Sequence, residues 1–308
     1  MKKNTPKVSV MIPTYNQEQY IACAIESVLM QNYENLEIVI SDDCSTDSTP
    51  NIIRKYISDK RIKFVRNKSN MGRVGNYHNT LYNHTTGDWI INLDGDDYYT
   101  DNYFISRAIN NISVAQKEGY DIVAYLYKQH HLKEIKKKIS HKEIEENCLI
   151  MKGKDYFINY NKIGGFGHMN TIYRKDKAIE LGDCYTKLYQ ASDFHSIIRI
   201  IIQGDILIDS RQIGIWRVHG NNATINEVNV KYKDAMQTFD DIENYASKIF
   251  TVKELSIWRK KANQTAYYDY VSTYIHSKRN LKSFYLLIKS FKLKYSYFRL
   301  LFYYIFKK

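Results

Sequence analysis

Apolar residues in the first half of the chain come in short unbroken runs, and the segments between those runs carry apolar residues at helical spacing. Lys7 to Ile12 (KVSVMI) is β-branched and apolar, the composition of a strand buried on both faces. Pro13-Thr14-Tyr15-Asn16 breaks it. Ile21, Ile25, Val28 and Leu29 then predict a helix over about Glu18 to Gln31. Leu36 to Ser41 predicts a second strand, followed by the polar loop Asp42-Asp43-Cys44-Ser45-Thr46-Asp47. Asp47 or Ser48 can cap the next helix, and Pro50 falls in its first turn, where proline is tolerated. Arg61 to Arg66 predicts a third strand, Gly75 to His84 a helix, and Asp88 to Leu93 a fourth strand that ends in Asp94-Gly95-Asp96-Asp97. A helix over Asn102 to Lys117 and a strand over Asp121 to Tyr127 follow.

Alternating strands and helices predict right-handed crossovers and an α/β fold with a mostly parallel sheet. Ligands in such sheets bind at the carboxyl ends of the strands. All three polar, turn-rich segments, after the first, second and fourth strands, fall at that edge. Farther on the pattern is less regular. Lys128 to Glu146 is polar and basic, a mobile loop or a short exposed helix. Gly164-Gly165-Phe166-Gly167-His168 is either a plain loop or a place where backbone closely approaches a ligand. From Val228 to Tyr274 the pattern is helical.

The carboxylates have the clearest chemistry. Asp94, Asp96 and Asp97 stand within four residues directly after an apolar strand. In a dry site they would repel one another unless a divalent cation sat among them, and hard cations such as Mg²⁺ and Mn²⁺ prefer carboxylate and phosphate oxygens. The other reading is an Asp-rich turn with capping duty. Asp43, at a strand end, can accept hydrogen bonds from a nucleobase or a ribose hydroxyl. Tyr15 beside it can cover a base, since an aromatic face stacks on a nucleobase. Arg73, just after Asn70 and Gly72, is a candidate phosphate contact.

Taken together, Pro13-Thr14-Tyr15-Asn16, Gln31-Asn32-Tyr33, Asp42-Asp43-Cys44-Ser45-Thr46-Asp47-Ser48-Thr49, Asn70-Met71-Gly72 and Gly87-Asp88 through Asp94-Gly95-Asp96-Asp97 resemble, in order and spacing, the family 2 glycosyltransferases of GT-A fold. The match is dense over residues 7–110 and thins afterwards. The resemblance implies an inverting transfer of sugar from a nucleotide-sugar donor, UDP-linked by preference. It casts Pro13, Tyr15 and Asp43 as nucleotide contacts. Asp96 becomes the direct ligand of a Mg²⁺ or Mn²⁺ ion, with Asp94 toward the ribose or a metal-bound water. It implies a catalytic base later in the chain at Asp193, in Gln190-Ala191-Ser192-Asp193-Phe194, where Ser192 replaces the commoner Glu. Apart from the family, Asp193 reads as an acid favoured by a helix N-terminus. Trp216-Arg217-Val218-His219-Gly220 resembles the late segment near the donor phosphates, so His219 would complete the metal site or touch the diphosphate. Residues 1–225 would then form the nucleotide-sugar-binding and catalytic domain, and residues 226–308 a helical region.

Charge changes the picture at the C-terminus. The formal net charge is +12, the last 31 residues hold nine Lys or Arg, and no acidic residue follows Asp269. Leu281, Phe284, Tyr285, Ile288, Phe291, Phe298, Leu301, Phe302 and Ile305 recur there at nearly helical spacing. This is the pattern of an amphipathic helix in an anionic membrane interface, or of a terminal helix packed on the domain. The first reading suits a lipid-linked glycan acceptor and a place on the inner face of the plasma membrane. No run approaches the roughly 18 apolar residues of a membrane span, and no signal peptide is expected. Cys23, Cys44, Cys148 and Cys184 lack ligand spacing and read as reduced cytoplasmic thiols. Two other classes fit less well. A metal-dependent nucleotidyl- or phosphotransferase would carry a glycine-rich phosphate loop with Lys, which is absent from the sequence. A non-enzymatic basic protein binding membrane or nucleic acid would spread its basic residues along the body of the chain, and the acidic motifs would have no purpose.

Overall fold

A computed structural model describes residues 5–128, 132, 135–136, 139–187, 191–219 and 228–277. The chain runs through β1 (Val8–Thr14), α1 (Ile21–Leu29), β2 (Leu36–Asp42), α2 (Thr49–Arg54), β3 (Ile62–Arg66) and α3 (Gly72–Asn79), which continues into a π-helical turn at Thr80–His84. Next come β4 (Trp89–Asn92), β5 (Tyr98–Tyr99), α4 (Phe104–Lys117), β6 (Ile122–Tyr127), β7 (Lys142–Glu145), β8 (Cys148–Lys152) and α5 (Gly153–Ile163). The remainder is β9 (Thr171–Arg174), α6 (Lys175–Leu181), α7 (Ser192–Ile201), β10 (Asp205–Asp209), β11 (Gly214–Ile215), α8 (Val228–Ala246) and α9 (Val252–Ser277).

Nine strands form one sheet in the order β3-β2-β1-β4-β9-β6-β10-β8-β7, and β5 pairs with β11 in a separate two-stranded ribbon. β1 is parallel to β2 and β4, β2 to β3, and β6 to β10. β9 runs antiparallel between β4 and β6, and β8 antiparallel between β10 and β7. The α/β fold read from the sequence is the one observed, and its parallel part is the part with alternating elements. Every residue of β1 is buried, because both sheet faces are covered. Val8, Val10 and Ile12 face one core, shared with Ile21, Ile25 and Val28 of α1 and Phe104, Ala108 and Ile112 of α4. Met11 faces the other core, with Val74, Tyr77 and Leu81 of α3 and its extension.

Several boundaries differ from the sequence reading for local reasons. The first helix starts at Ile21, because the Tyr20 and Ile21 amides both bond to the Gln17 carbonyl and close a turn first. Within Lys128–Glu146 the structure forms the edge strand β7, Lys-Glu-Ile-Glu, whose charged residues discourage further pairing while its one apolar residue, Ile144, packs on the first core. The helical stretch after Val228 is two helices. Trp258 and Phe250 stack on Phe157 of α5, so these helices cover the second core. Among the described residues no helix is long and apolar enough to cross a membrane. The tail from Leu281 onward lies outside the described residues.

α7 is the most deeply buried of these helices for its length and carries a histidine inward. His195 is 1 % exposed and its Nδ1 lies 3.2 Å from Arg199 Nη2, which makes it an acceptor and hence neutral. Burial first, and the Arg199 charge second, pull the imidazole down to about 4, against Asp183 and Asp241. An unfolded histidine titrates near 6.5, so between pH 6.5 and 4 the unfolded chain binds a proton that the folded chain refuses. Folding stability is therefore present above pH 6.5 and is expected to fall by up to about 3 kcal/mol as pH drops to 4. Urea denaturation across that range should show a smaller drop for His195→Gln. Equal drops in the two proteins would contradict the assignment.

Candidate functional site

The turns after β1 and β2 are sewn together. Thr14 is paired with Asp42 in the strand register, and the Asp43 amide extends the ladder to the Thr14 carbonyl at 2.9 Å. Beyond that point side chains take over. The Asn16 amide donates to Ser45 Oγ at 2.9 Å, Asn16 Oδ1 accepts from the Thr46 amide at 2.8 Å, and the Gln17 amide donates to Thr49 Oγ1 at 2.8 Å. Asn16 and Cys44 both adopt positive φ, 52° and 64°, which Asn tolerates and Cys does not favour. Asp47 does not cap α2 in the usual way. Its carboxylate accepts from the Thr49 amide at 2.9 Å and from the Glu18 amide at 3.1 Å, tying the two turns again.

Asp43 sits in a network the sequence did not reveal. Its Oδ1 accepts from Asn67 Nδ2 and from the Met71 amide, each at 2.8 Å. Asn67 is steadied by Asn76, which also brackets Ser41 through both its Oδ1 and its Nδ2. Asp42, fully buried, pairs with Arg66 at 3.2 Å. Pro13 is buried in β1 opposite Ser41, and Tyr15 stands 46 % exposed at the rim.

β4 delivers the acidic turn. The Leu93 amide bonds to the Met11 carbonyl, and the Asp97 amide closes a turn on Asp94 at 2.9 Å. Gly95 has a steric reason: a Cβ there would lie 2.3 Å from Gln17 Oε1 and 2.9 Å from Thr14 Oγ1. Asp94 accepts a hydrogen bond from Tyr77 of α3. Burial pushes its carboxyl up, and neighbouring Asp96 adds to that, against His168, Tyr77 and Arg73. Asp97 is buried, accepts from the Arg217 amide at 2.8 Å, and is pushed up to about 7 by burial and by its two acidic neighbours. Asp96 faces His219, with Nε2 and Oδ2 2.8 Å apart. His219 in turn stacks on Tyr20 at 4.6 Å, and the Arg217 guanidinium lies between the rings of Tyr20 and Tyr98 at 5.0 and 4.8 Å. The segment after β11 is thus a strap across the acidic turn.

On the far side, Asp193 is in the first turn of α7, where an acid suits the helix dipole. Its charge reaches Arg73, Tyr77, His168 and Tyr185, and Asp94 reaches the first three of these. Arg73 lies over the Tyr77 ring at 5.9 Å. The structure therefore gathers Asp94, Arg73 and Asp193 around Tyr77 and His168, gathers Asp96 with His219, and holds Asp43, Pro13 and Tyr15 in the adjoining turns. Tyr77, His168, Asn67 and Asn76 escaped the sequence reading as site residues. The glycine cluster before His168 was the one signal that pointed toward any of them.

The sequence matches the family described as Glycosyl transferase family 2 over residues 9–182. One curated relative, the GalNAc(5)-diNAcBac-PP-undecaprenol β-1,3-glucosyltransferase of Campylobacter jejuni, is 32% identical over 158 residues, which is 50% of this chain and 48% of that protein. The chain thus spans about half the length of that relative. Among solved structures, TarS of Staphylococcus aureus in complex with UDP-GlcNAc superposes with a TM-score of 0.59 at 18% identity, covering 87% of this chain and 81% of the other. The mannosyltransferase PcManGT of Pyrobaculum calidifontis, in complex with GDP-Man and Mn²⁺, gives 0.55 at 16% identity over 97% and 84%. These likenesses establish the GT-A fold, and the sequence match over more than half of its length shows that the chain belongs to glycosyl transferase family 2.

Proposed function

We propose that the chain is an inverting glycosyltransferase that moves a sugar from a nucleoside-diphosphate donor, UDP-linked by preference, to a hydroxyl of a lipid-linked glycan in the building of bacterial surface polysaccharide. The observation that carries this reading is convergence at one sheet edge: the Asp43 turn, the Asp94–Asp97 turn strapped by His219, and Asp193. The relatives support the finer points. TarS was solved with UDP-GlcNAc, PcManGT with a sugar nucleotide and Mn²⁺, and the Campylobacter protein is named for an undecaprenol-linked acceptor.

The donor set suits a hard cation. Among the described residues no three His, Cys, Asp or Glu side chains make a closed cage. A cation of this kind binds through one or two protein groups and completes its shell with phosphate oxygens and water. Asp96 and His219 are two such groups, set beside two carboxylates, Asp94 and Asp97, whose protons are held more tightly than usual. Asp96 and His219 would hold Mg²⁺ or Mn²⁺, whose chemistry there is Lewis-acid neutralisation of charge growing on the departing diphosphate.

The chain's own residues do the rest. Asp43, fixed by Asn67 and the Met71 amide, accepts hydrogen bonds from the base or ribose, Tyr15 covers the base, and Pro13 shapes the wall beside them. Asp94 is oriented toward the ribose by Tyr77, and Arg73 contacts the diphosphate. Asp193 accepts the acceptor's hydroxyl proton as its oxygen bonds to the anomeric carbon and the bond to the diphosphate breaks, inverting that carbon. Base assistance of this kind is worth about 10²–10⁴-fold.

In calorimetry, UDP is expected to bind in the presence of Mn²⁺ and not in EDTA, and Asp96→Ala is expected to abolish the metal-dependent part. Asp193→Asn should keep UDP binding while transfer falls by about 10²–10⁴-fold. A folded protein that binds none of UDP, GDP or dTDP would remove the donor-site reading. The basic, aromatic tail supports a further part of the proposal, contact with the inner membrane face. The 308-residue chain should sediment with phosphatidylglycerol vesicles at low salt and less at ~1 M salt, where the screening length falls to about 3 Å. Failure to sediment at low salt would exclude that contact.

A further inference from the structure

We infer that Lys128, His168 and Tyr185 form a hydrogen-bonded strut that runs from the end of β6 to the first turn of α7 and positions Asp193. The interest of the strut rests on the proposed role of Asp193, but its existence does not.

The strut starts at a buried cation. Lys128 follows β6 directly, and its amide donates to the Asp209 carbonyl at the end of neighbouring β10 at 2.6 Å. The residue is 9 % exposed, and its ammonium donates to the Gly165 carbonyl. A lysine in such surroundings is disfavoured in its charged form, and burial pulls it down to about 8. That cost is offset only while a strong acceptor is held in place. The adjacent Gly164 shows how closely the loop is fitted: its φ is +85°, and a Cβ would lie 2.8 Å from Lys128 Nζ.

The loop is pinned at both ends. The Gly164 amide donates to the Tyr160 carbonyl at 2.7 Å, and Tyr156 Oη donates to the Gly164 carbonyl at 3.0 Å. At the far end, the Gly167 carbonyl accepts from the Asn170 amide at 3.1 Å and from Thr171 Oγ1 at 2.9 Å, and the Tyr127 amide donates to the Asn170 carbonyl at 2.8 Å. His168 is therefore presented from a fixed frame rather than from a slack loop.

From there the connection passes through side chains. His168 Nε2 lies 2.7 Å from Tyr185 Oη. Tyr185 has a φ of 57°, a conformation costly for a non-glycine residue and kept only when its surroundings over-determine it. One constraint is the His168 bond. Another is its own amide, which donates to Ser196 Oγ at 3.0 Å, and Ser196 Oγ donates to the Ser192 carbonyl at 2.8 Å. Ser192 and Asp193 open α7. None of the three strut residues needs to touch a reacting atom, so they are positioning residues.

Hydrogen exchange of the whole protein, read by mass spectrometry, tests the strut without any substrate. In Lys128→Met and in the conservative Tyr185→Phe, the Tyr185 amide and the first bonded amides of α7 (195–198) should exchange roughly three- to tenfold faster, the scale of one lost hydrogen bond. Amides of α4 should be unchanged, and Lys128→Arg, which keeps a cationic donor, should retain the slow exchange of wild type that Lys128→Met loses. UDP affinity, measured separately with Mn²⁺, should match wild type in Tyr185→Phe. Unchanged exchange in Tyr185→Phe, or acceleration spread evenly over the protein, would overturn the strut. Wild-type protein that fails to bind UDP would instead overturn the donor-site reading and leave the strut standing.

Discussion

The site depends on the register in which β1 pairs with β2 on one side and β4 on the other. Val8 lies opposite both Leu36 and Trp89, so β1 and β2 end level with each other and β4 ends three residues short of them at the same edge. The parallel ladder then has unpaired amides and carbonyls at its rim, and the turns complete it: Asp43 to Thr14, Leu93 to Met11. A one-residue slip would exchange the two faces of β1 between the two cores and shift the Asp43 turn against the acidic turn. Burial of both faces of β1 fixes that register, so the packing of Val8, Val10 and Ile12 is also what sets the spacing of the carboxylates.

The same edge collects the molecule's electrostatic and conformational strain. Asp94 and Asp97 are held where burial raises their proton affinity, and Asp42 is fully buried. The non-glycine residues at positive φ among those described, Asn16, Cys44 and Tyr185, all belong to the turns around the site or to the strut behind it. Such features persist where surrounding structure over-determines them and cluster at sites of binding and reaction. Here the over-determination is visible: Ser45 and Thr46 on Asn16, Arg217 on Asp97, Tyr77 on Asp94.

The sequence was most legible where strands are buried on both faces and end in Asp, Asn or Gly, because both signals are local. β1, β2 and β4, with the polar turns that follow them, are of this kind. The second half offered less. β7, β8, β9 and β10 are short, four of their pairings are antiparallel, and three of the four residues of β7 are charged, so periodicity had little to act on. Side chains such as Asn67, Asn76 and Tyr77 matter through partners 17 to 35 positions away, which no local pattern records. Asp193 was found through family likeness alone. His168 could have been reached from its glycines, since Gly164 holds a positive φ beside Lys128, 36 positions earlier, but only the fold makes that neighbour known.

On the function proposed above, the acidic turn and the strap after β11 together make one metal-dependent donor site. Crystals grown with UDP and Mn²⁺ and measured at the manganese absorption edge test it most directly. One anomalous peak is expected in bonding contact with Asp96 and with diphosphate oxygens, with His219 against the same site and the uracil or ribose held at Asp43. A peak elsewhere, or ordered UDP bound at that edge with no manganese beside Asp96, would contradict it.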